Sequence, residues 1–210
     1  MNETMLTVSP AMYHAYFEPV VYMTSEQLFC YQVKRLRYMG FVLMSNEVDE
    51  LCRWIPNEQG SFFLIVPRLP SKIHIAGNMP RMEIFGDRNV CTVSGKLLRA
   101  SMDAPICDAH LLLDVEDGRA RLGLDPATAD EQIRKEGRIG YNSWEAIVHC
   151  CVFPFVLWHH SLDIVRSCDS LGNMISLQGN NDTIMIASRS KIARYPGFGA
   201  PSANVVIQAI

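Results

Sequence analysis

The hydrophobic pattern along the chain changes period three times. After Thr24 the apolar residues Phe29, Val33 and Leu36 recur at helical spacing, with Gln27 in the capping-box position and Gly40 placed to end the helix. A second helical pattern opens at Ser45. Val48, Leu51, Cys52 and Ile55 repeat at i, i+3, i+4, i+7, and Pro56 stops it. Together these predict an N-terminal helix pair.

The period then becomes that of strands. Phe62-Phe63-Leu64-Ile65-Val66 is a continuous apolar run ending at Pro67, as expected of a strand buried on both faces. Lys72 to Ala76 alternates, with Ile73 and Ile75 on one side. Ala109 to Val115 predicts another strand, closed by the turn Glu116-Asp117-Gly118.

Helical spacing returns at Asp125-Pro126, with proline at the first helical position and Gly137 at the end. This helix is sparse in apolar residues and is expected on the surface. Asn142 or Ser143 caps the next one, whose stripe is Trp144, Ile147, Val148 and Cys151, and which Pro154 limits. Strands follow. Met174 to Gln178 and Thr183 to Ser188 flank Gly179-Asn180-Asn181-Asp182, a hairpin signal, and Val205 to Ile210 reads as a last strand. Helices, strands, helices and strands succeed one another without regular βαβ alternation. The expectation is an α+β fold with a mainly antiparallel or mixed sheet, the N-terminal helix pair and further helices packed on it.

Residues 1 to 23 carry only Glu3 and Glu18 as charges and are rich in Met and Tyr. They read as an extended arm, ahead of a single domain over residues 24 to 210. Hydrophobic residues make up 49% of the chain and charged residues 20%, which excludes a disordered chain or a coiled coil. The net charge is -3, from 19 Lys and Arg against 22 Asp and Glu, which argues against a nucleic-acid partner. Basic residues gather only at Lys34, Arg35 and Arg37 and at Arg189, Lys191 and Arg194. No acidic residue follows Asp182, so the second group is a candidate anion site.

Seven cysteines, an odd number with no Cys-x-x-Cys, sit mostly among apolar neighbours. They read as reduced, buried thiols in a cytoplasmic protein. No segment has the form of a signal peptide, and the longest apolar stretch, Cys150 to Trp158, is too short to span a bilayer. Eleven Met and the aromatic arm point to a homodimer, with the uncharged strand Val205 to Ile210 inside the sheet or paired across the dimer.

At Leu111-Leu112-Leu113-Asp114-Val115-Glu116-Asp117-Gly118-Arg119 the chain resembles a bacterial family of uncharacterised proteins, known only as a domain of unknown function. The likeness lies in order: a strand, an acidic turn with Gly-Arg, a proline-started helix, then a Glu-x-x-x-His helix. The opening helix, with Phe29, Gln32, Val33, Leu36 and Gly40, is similar to that family's opening. The C-terminus departs from the family pattern, which is richer in Trp and Gly, since no Trp follows Trp158. The resemblance implies a single bacterial cytoplasmic domain and attaches no activity to it.

Chemistry-bearing residues are densest from Glu145 to Cys168. Glu145 and His149, at i, i+4, share a helix face. With His159 or His160 and Cys168 they form a candidate ligand or metal site. Glu145 and His149 lie off the Trp144/Ile147/Val148 stripe, so a solvated pair is the first reading and no metal or other cofactor is expected. His159 and His160 fit either a helix or a strand. On a strand, which alternation favours, His160, Leu162 and Ile164 face the core while His159, Ser161 and Asp163 face out. Cys150 has no Gly-rich oxyanion loop before it and reads as structural.

Two functions are compatible with this inventory. The first is a non-enzymatic domain that binds a partner or small ligand. The alternative is a metal- or thiol-dependent enzyme centred on His149, His159 and Cys168.

Overall fold

The computed structural model describes residues 23–58, 61–68, 90–91, 108–169, 171–180 and 183–209. The expected arm and the Lys72–Ala76 strand lie outside these. The α+β expectation holds. Five α-helices among the described residues pack on antiparallel and mixed sheets.

Helix α1 (Ser25–Tyr38) starts at a complete capping box: Thr24 Oγ1 accepts from the Gln27 amide at 3.3 Å, and Gln27 Oε1 accepts from the Thr24 amide at 2.9 Å. Its inner face, Leu28, Phe29, Val33 and Leu36, is buried, as the spacing predicts. Gln32 is buried on that face too. Its Nε2 donates to the Phe63 carbonyl at 2.8 Å, and its Oε1 accepts from the Ile65 amide at 2.9 Å. Helix α2 (Ser45–Cys52) ends earlier than the pattern suggests. Leu51 is buried, but Cys52 is exposed and Ile55 lies beyond the helix, because the chain turns out at Arg53 ahead of Pro56.

Strand β1 (Leu64–Val66) pairs antiparallel with β3 (His110–Leu113), which pairs antiparallel with β10 (Val205–Gln208). β10 therefore lies at one edge of this sheet among the described residues, not inside it. The second sheet has the order β2-β7-β6-β5-β8: β2 (Val90–Cys91), β7 (Thr183–Arg189), β6 (Met174–Asn180), β5 (Ser161–Cys168) and β8 (Phe198–Gly199). The β5–β6–β7 pairings are antiparallel and the two outer pairings parallel. The hairpin is where it was expected, but pairing runs on to Asn180 opposite Thr183. A small ribbon joins β4 (Ile139–Gly140) to β9 (Ser202–Ala203).

Helix α3 (Pro126–Lys135) is capped by Asp125 and lies on the surface, touching β5 through the buried edge Ala129 and Ile133. Helix α4 (Ser143–Val152) is different. All ten of its residues are buried, because it packs against α1, β1, β5 and β6 and so joins the two sheets in one core. Its C-terminal carbonyls are met from α1, Arg35 Nε donating to Cys151 O at 2.8 Å and Tyr31 Oη to Val152 O at 3.4 Å. Helix α5 (Val156–His159) is a single turn leading into β5.

Candidate functional site

Three local features bring polar side chains to the start of β5. The first is the acidic turn after β3. Glu116 Oε1 accepts from the amides of Gly118 and Ala120, each at 2.9 Å, while Oε2 pairs with buried Arg121 at 2.7 Å. This winds residues 119–121 into a 3-10 turn and sets Asp117 inward, 5% exposed. Asp117 Oδ1 accepts from Arg119 Nε at 2.9 Å, with the Arg119 side chain 45% exposed.

The second feature is close backbone packing. Gly118 has φ +107°, and a Cβ there would lie 2.9 Å from the Gly199 carbonyl carbon and 3.0 Å from His160 Nε2. A Cβ on Gly199 would lie 2.1 Å from the Gly118 oxygen. Two glycines thus let the turn rest directly on β8, which runs beside Ser161 and Leu162. Gly197-Phe198-Gly199 has this packing role.

The third is a register shift in β5 between Ile164 and Cys168. There the Arg166 amide donates to the Tyr141 carbonyl at 3.2 Å, and Ser167 Oγ accepts from the Ser143 amide at 3.0 Å. The junction into α4 is fixed, and Tyr141 Oη meets His149 Nδ1 at 3.2 Å.

On this frame the histidines line up. His160 is buried, and its Nε2 lies 2.9 Å from the Asp117 carbonyl. Its Nδ1 lies 3.0 Å from Nδ1 of half-buried His159. His149 is fully buried among the rings of Phe62, Tyr141 and Phe153, and its Nε2 makes no hydrogen bond.

Burial pushes His149 down to about 3, helped by the positive charge of His160 and Arg119. Burial also lowers His160 to about 4, against the Asp117 hydrogen bond that favours its charged form. His159 is lowered by burial and by Arg119. Burial raises Asp117 to about 7, outweighing the hydrogen bond from the Arg119 amide. Near neutral pH the site therefore holds neutral imidazoles, a carboxyl that is part protonated, and the Arg119 guanidinium.

The residues predicted from sequence divide accordingly. His159 lies at this site and His149 beneath it. Glu145 and His149 are not solvated. α4 is covered on every side, so the face opposite the apolar stripe is buried as well. Glu145 completes the capping box of α4 with Asn142, its Oε2 accepting from the Asn142 amide at 2.7 Å, and Oε1 faces buried His110 Nε2 at 3.5 Å. Cys168 is at the far end of β5, on the order of 25 Å of strand from His160. Ser161 and Asp163 are buried too, so β5 has no outward face at its start, and His159 belongs to α5 rather than to the strand.

Among the described residues no group of three His, Cys, Asp or Glu could hold a metal ion. Burial raises Cys150 well above the usual thiol range, which leaves it protonated and inert. Two residues of the expected anion site have partners within the chain. Arg189 pairs with buried Asp163, and Arg194 Nε donates to the Gly123 carbonyl at 3.3 Å.

Sequence reasoning missed Asp117, Arg119 and Tyr141. The available signal was a charged turn carrying glycine directly after a buried strand.

The chain matches no family model, no curated protein and no solved structure. No helix among the described residues is long and apolar enough to cross a membrane.

The buried histidines set an acid limit on stability. An unfolded chain protonates histidine near 6.5, whereas the folded chain keeps His149 neutral to about 3. Between these values the unfolded state holds the extra proton, so the stability is whole above pH 6.5 and is lost as pH falls. Asp117 and Asp163, both raised, act with the opposite sign but equally in a variant that keeps them. Relative to His149→Gln, the parent chain should lose about 1.4 kcal/mol more per pH unit between pH 6 and 4. Urea unfolding at each pH measures this, and parallel curves would refute it.

Proposed function

We propose that this chain is a small-ligand-binding domain whose ligand carries an anionic group, held at Arg119 beside His159. The convergence of Asp117, Arg119, His159 and His160 at the start of β5 carries this reading. Arg119 and His159 are part exposed, while the residues that orient them are buried. A guanidinium offers a planar fork to carboxylate or phosphate. Asp117, lifted to about 7 by burial, is part protonated near neutrality and accepts from Arg119 Nε. Glu116 is occupied with Arg121 and the turn amides.

The setting that fits is a cytoplasmic one. Cys30, Cys52, Cys150, Cys151 and Cys168 carry thiols rather than disulfides. The bacterial family of unknown function and the homodimer belong to the same reading, which the matching order of elements and the aromatic arm support.

Titration with inorganic phosphate, followed through the imidazole signals of His159 and His160 by NMR, tests the proposal. Arg119→Ala should weaken binding roughly 10-fold or more, the scale of a charge-assisted hydrogen bond. Arg194→Ala should leave it unchanged. Imidazole signals that stay fixed up to high phosphate would overturn the reading.

A further inference from the structure

A β-sheet carries a row of unpaired N–H and C=O groups along each edge, and stable folds close such rows. The first sheet closes one of its edges with a side chain. Gln32 of α1 donates from Nε2 to Phe63 O at 2.8 Å and accepts at Oε1 from the Ile65 amide at 2.9 Å. Those are the main-chain groups of β1 that face away from β3, so one buried amide stands in for a neighbouring strand. The outer edge of β8 is met in a similar way, the Gly123 amide donating to Phe198 O at 2.9 Å.

The β10 edge is treated differently. Ala209 N donates to Ala109 O at 2.9 Å, on the β3 side. Main-chain groups alternate along an antiparallel strand, so Val205 and Ile207 also turn theirs to β3, while Val206 and Gln208 turn theirs away. The outward groups have no partner among the described residues. The usual guards of an edge are missing as well. Residues 204–209 contain no charge and no proline, and the pairing of β10 with β3 runs without a bulge. Val205 is 45% exposed.

We infer that β10 is a dimerisation strand, which pairs antiparallel with β10 of a second copy of this chain about a two-fold axis at Ile207. The strand is complementary to itself in this register. Val206 falls opposite Gln208 of the partner subunit, so the residues with open main-chain groups meet each other, and each gives and receives a bond. Ile207 meets its own copy in the non-hydrogen-bonded pair between them, where side chains approach most closely. Val205 falls opposite Ala209 of the partner subunit. No like charges face one another at any position, and the two sheets become one. This symmetry argues for a second copy over an unrelated strand, since a two-fold pair uses the same patch on both chains. The inference rests on the homodimer in the proposed function and gives it an interface; the anion site plays no part in it.

Sedimentation of the full chain from low micromolar to near-millimolar concentration, with amide exchange read by NMR, tests the inference. The parent chain should be a dimer in which the Val206 and Gln208 amides are protected together with that of Ile207. Gln208→Pro removes an N–H that points away from β3, at an edge position where a folded strand tolerates proline. It should weaken the dimer by at least about 10-fold, because the two-fold axis removes the bond twice. The Val206 amide should then exchange freely while Ile207 stays protected by β3. Gln208→Ala keeps the N–H and should dimerise as the parent does.

A parent chain that stays monomeric throughout overturns the inference and the homodimer with it, and leaves the edge to a strand of another protein. A folded Gln208→Pro chain that dimerises as tightly as the parent overturns the β10 interface but leaves the homodimer standing. If Gln208→Pro does not fold, the parent chain decides. Its Val206 and Gln208 amides should lose protection on dilution before Ile207 does, and protection that ignores concentration refutes the pairing.

Discussion

Arg189→Met should lower the unfolding free energy by about 3–5 kcal/mol, because it leaves a carboxylate buried without its partner. Arg189 lies at the end of β7 and reaches over β6 to Asp163 on β5, giving a two-pronged pair through Nε, at 2.7 Å, and Nη2. The guanidinium is also stacked on the rings of Phe198 and Tyr195, at 4.2 and 4.8 Å from their centroids. Both partners are buried, Asp163 at 1% exposure. Water therefore cannot replace the lost bonds. For a chain of this size the loss corresponds to a fall in melting temperature of about 6–20 °C. Circular dichroism on heating measures it. Acid should narrow the gap, since Asp163 without Arg189 is neutral at low pH. A fall under 2 °C would show that the pair adds little.

Gly199→Ala should be of similar severity. The new methyl would stand 2.1 Å from the Gly118 oxygen, which is backbone and has no rotamer to escape into. Either β8 or the turn at residues 116–121 must move. Overpacking in a tight core costs about 1–3 kcal/mol, and a contact this short between main chains belongs at or above that upper value. The displacement should also disturb His160, which hydrogen-bonds to Asp117 next to Gly118. The expected result is a lower urea midpoint with shifted His159 and His160 imidazole signals. Gly172→Ala is the control. Its glycine has positive φ, +79°, which Gly199 does not, and a Cβ there meets nothing within 4 Å, so only local backbone strain is introduced. Equal losses in the two variants would refute the packing argument.

Much of the fold was legible because it follows local rules. Thr24 with Gln27, Pro126 after Asp125, and the alternation on either side of residues 181–182 each act within a few residues. What escaped depends on partners distant in sequence. The polar face of α4 looked solvated because periodicity reports a helix with two environments. Two sheets and α1 surround α4, so its second face is buried also, and Glu145 and His149 are met by His110 and Tyr141. The Asn142-x-x-Glu145 capping box was readable in the sequence and assigns Glu145 a structural role. Arg189 looked like a free cation in a stretch without acids, whereas its acid, Asp163, lies 26 residues earlier on β5. The candidate site itself rests on Gly118 against Gly199, a pairing across the chain that no local pattern encodes.

The position of β10 has a consequence for synthesis. Its partner β3 leaves the ribosome roughly ninety residues earlier, which at typical elongation rates is a wait of about 5–20 s. During that time β3 can pair with β1, which precedes it, but its other edge has no cognate strand. The carbonyls of Ala109 and Leu113, which later accept from Ala209 and Asn204, face whatever nascent chain is nearby. The hairpin of β6 and β7 closes in the same interval without needing the C-terminus. Translation thus closes the β6–β7 hairpin well before the first sheet is complete, and the interval of greatest aggregation hazard is set by how soon Val205 to Gln208 emerges.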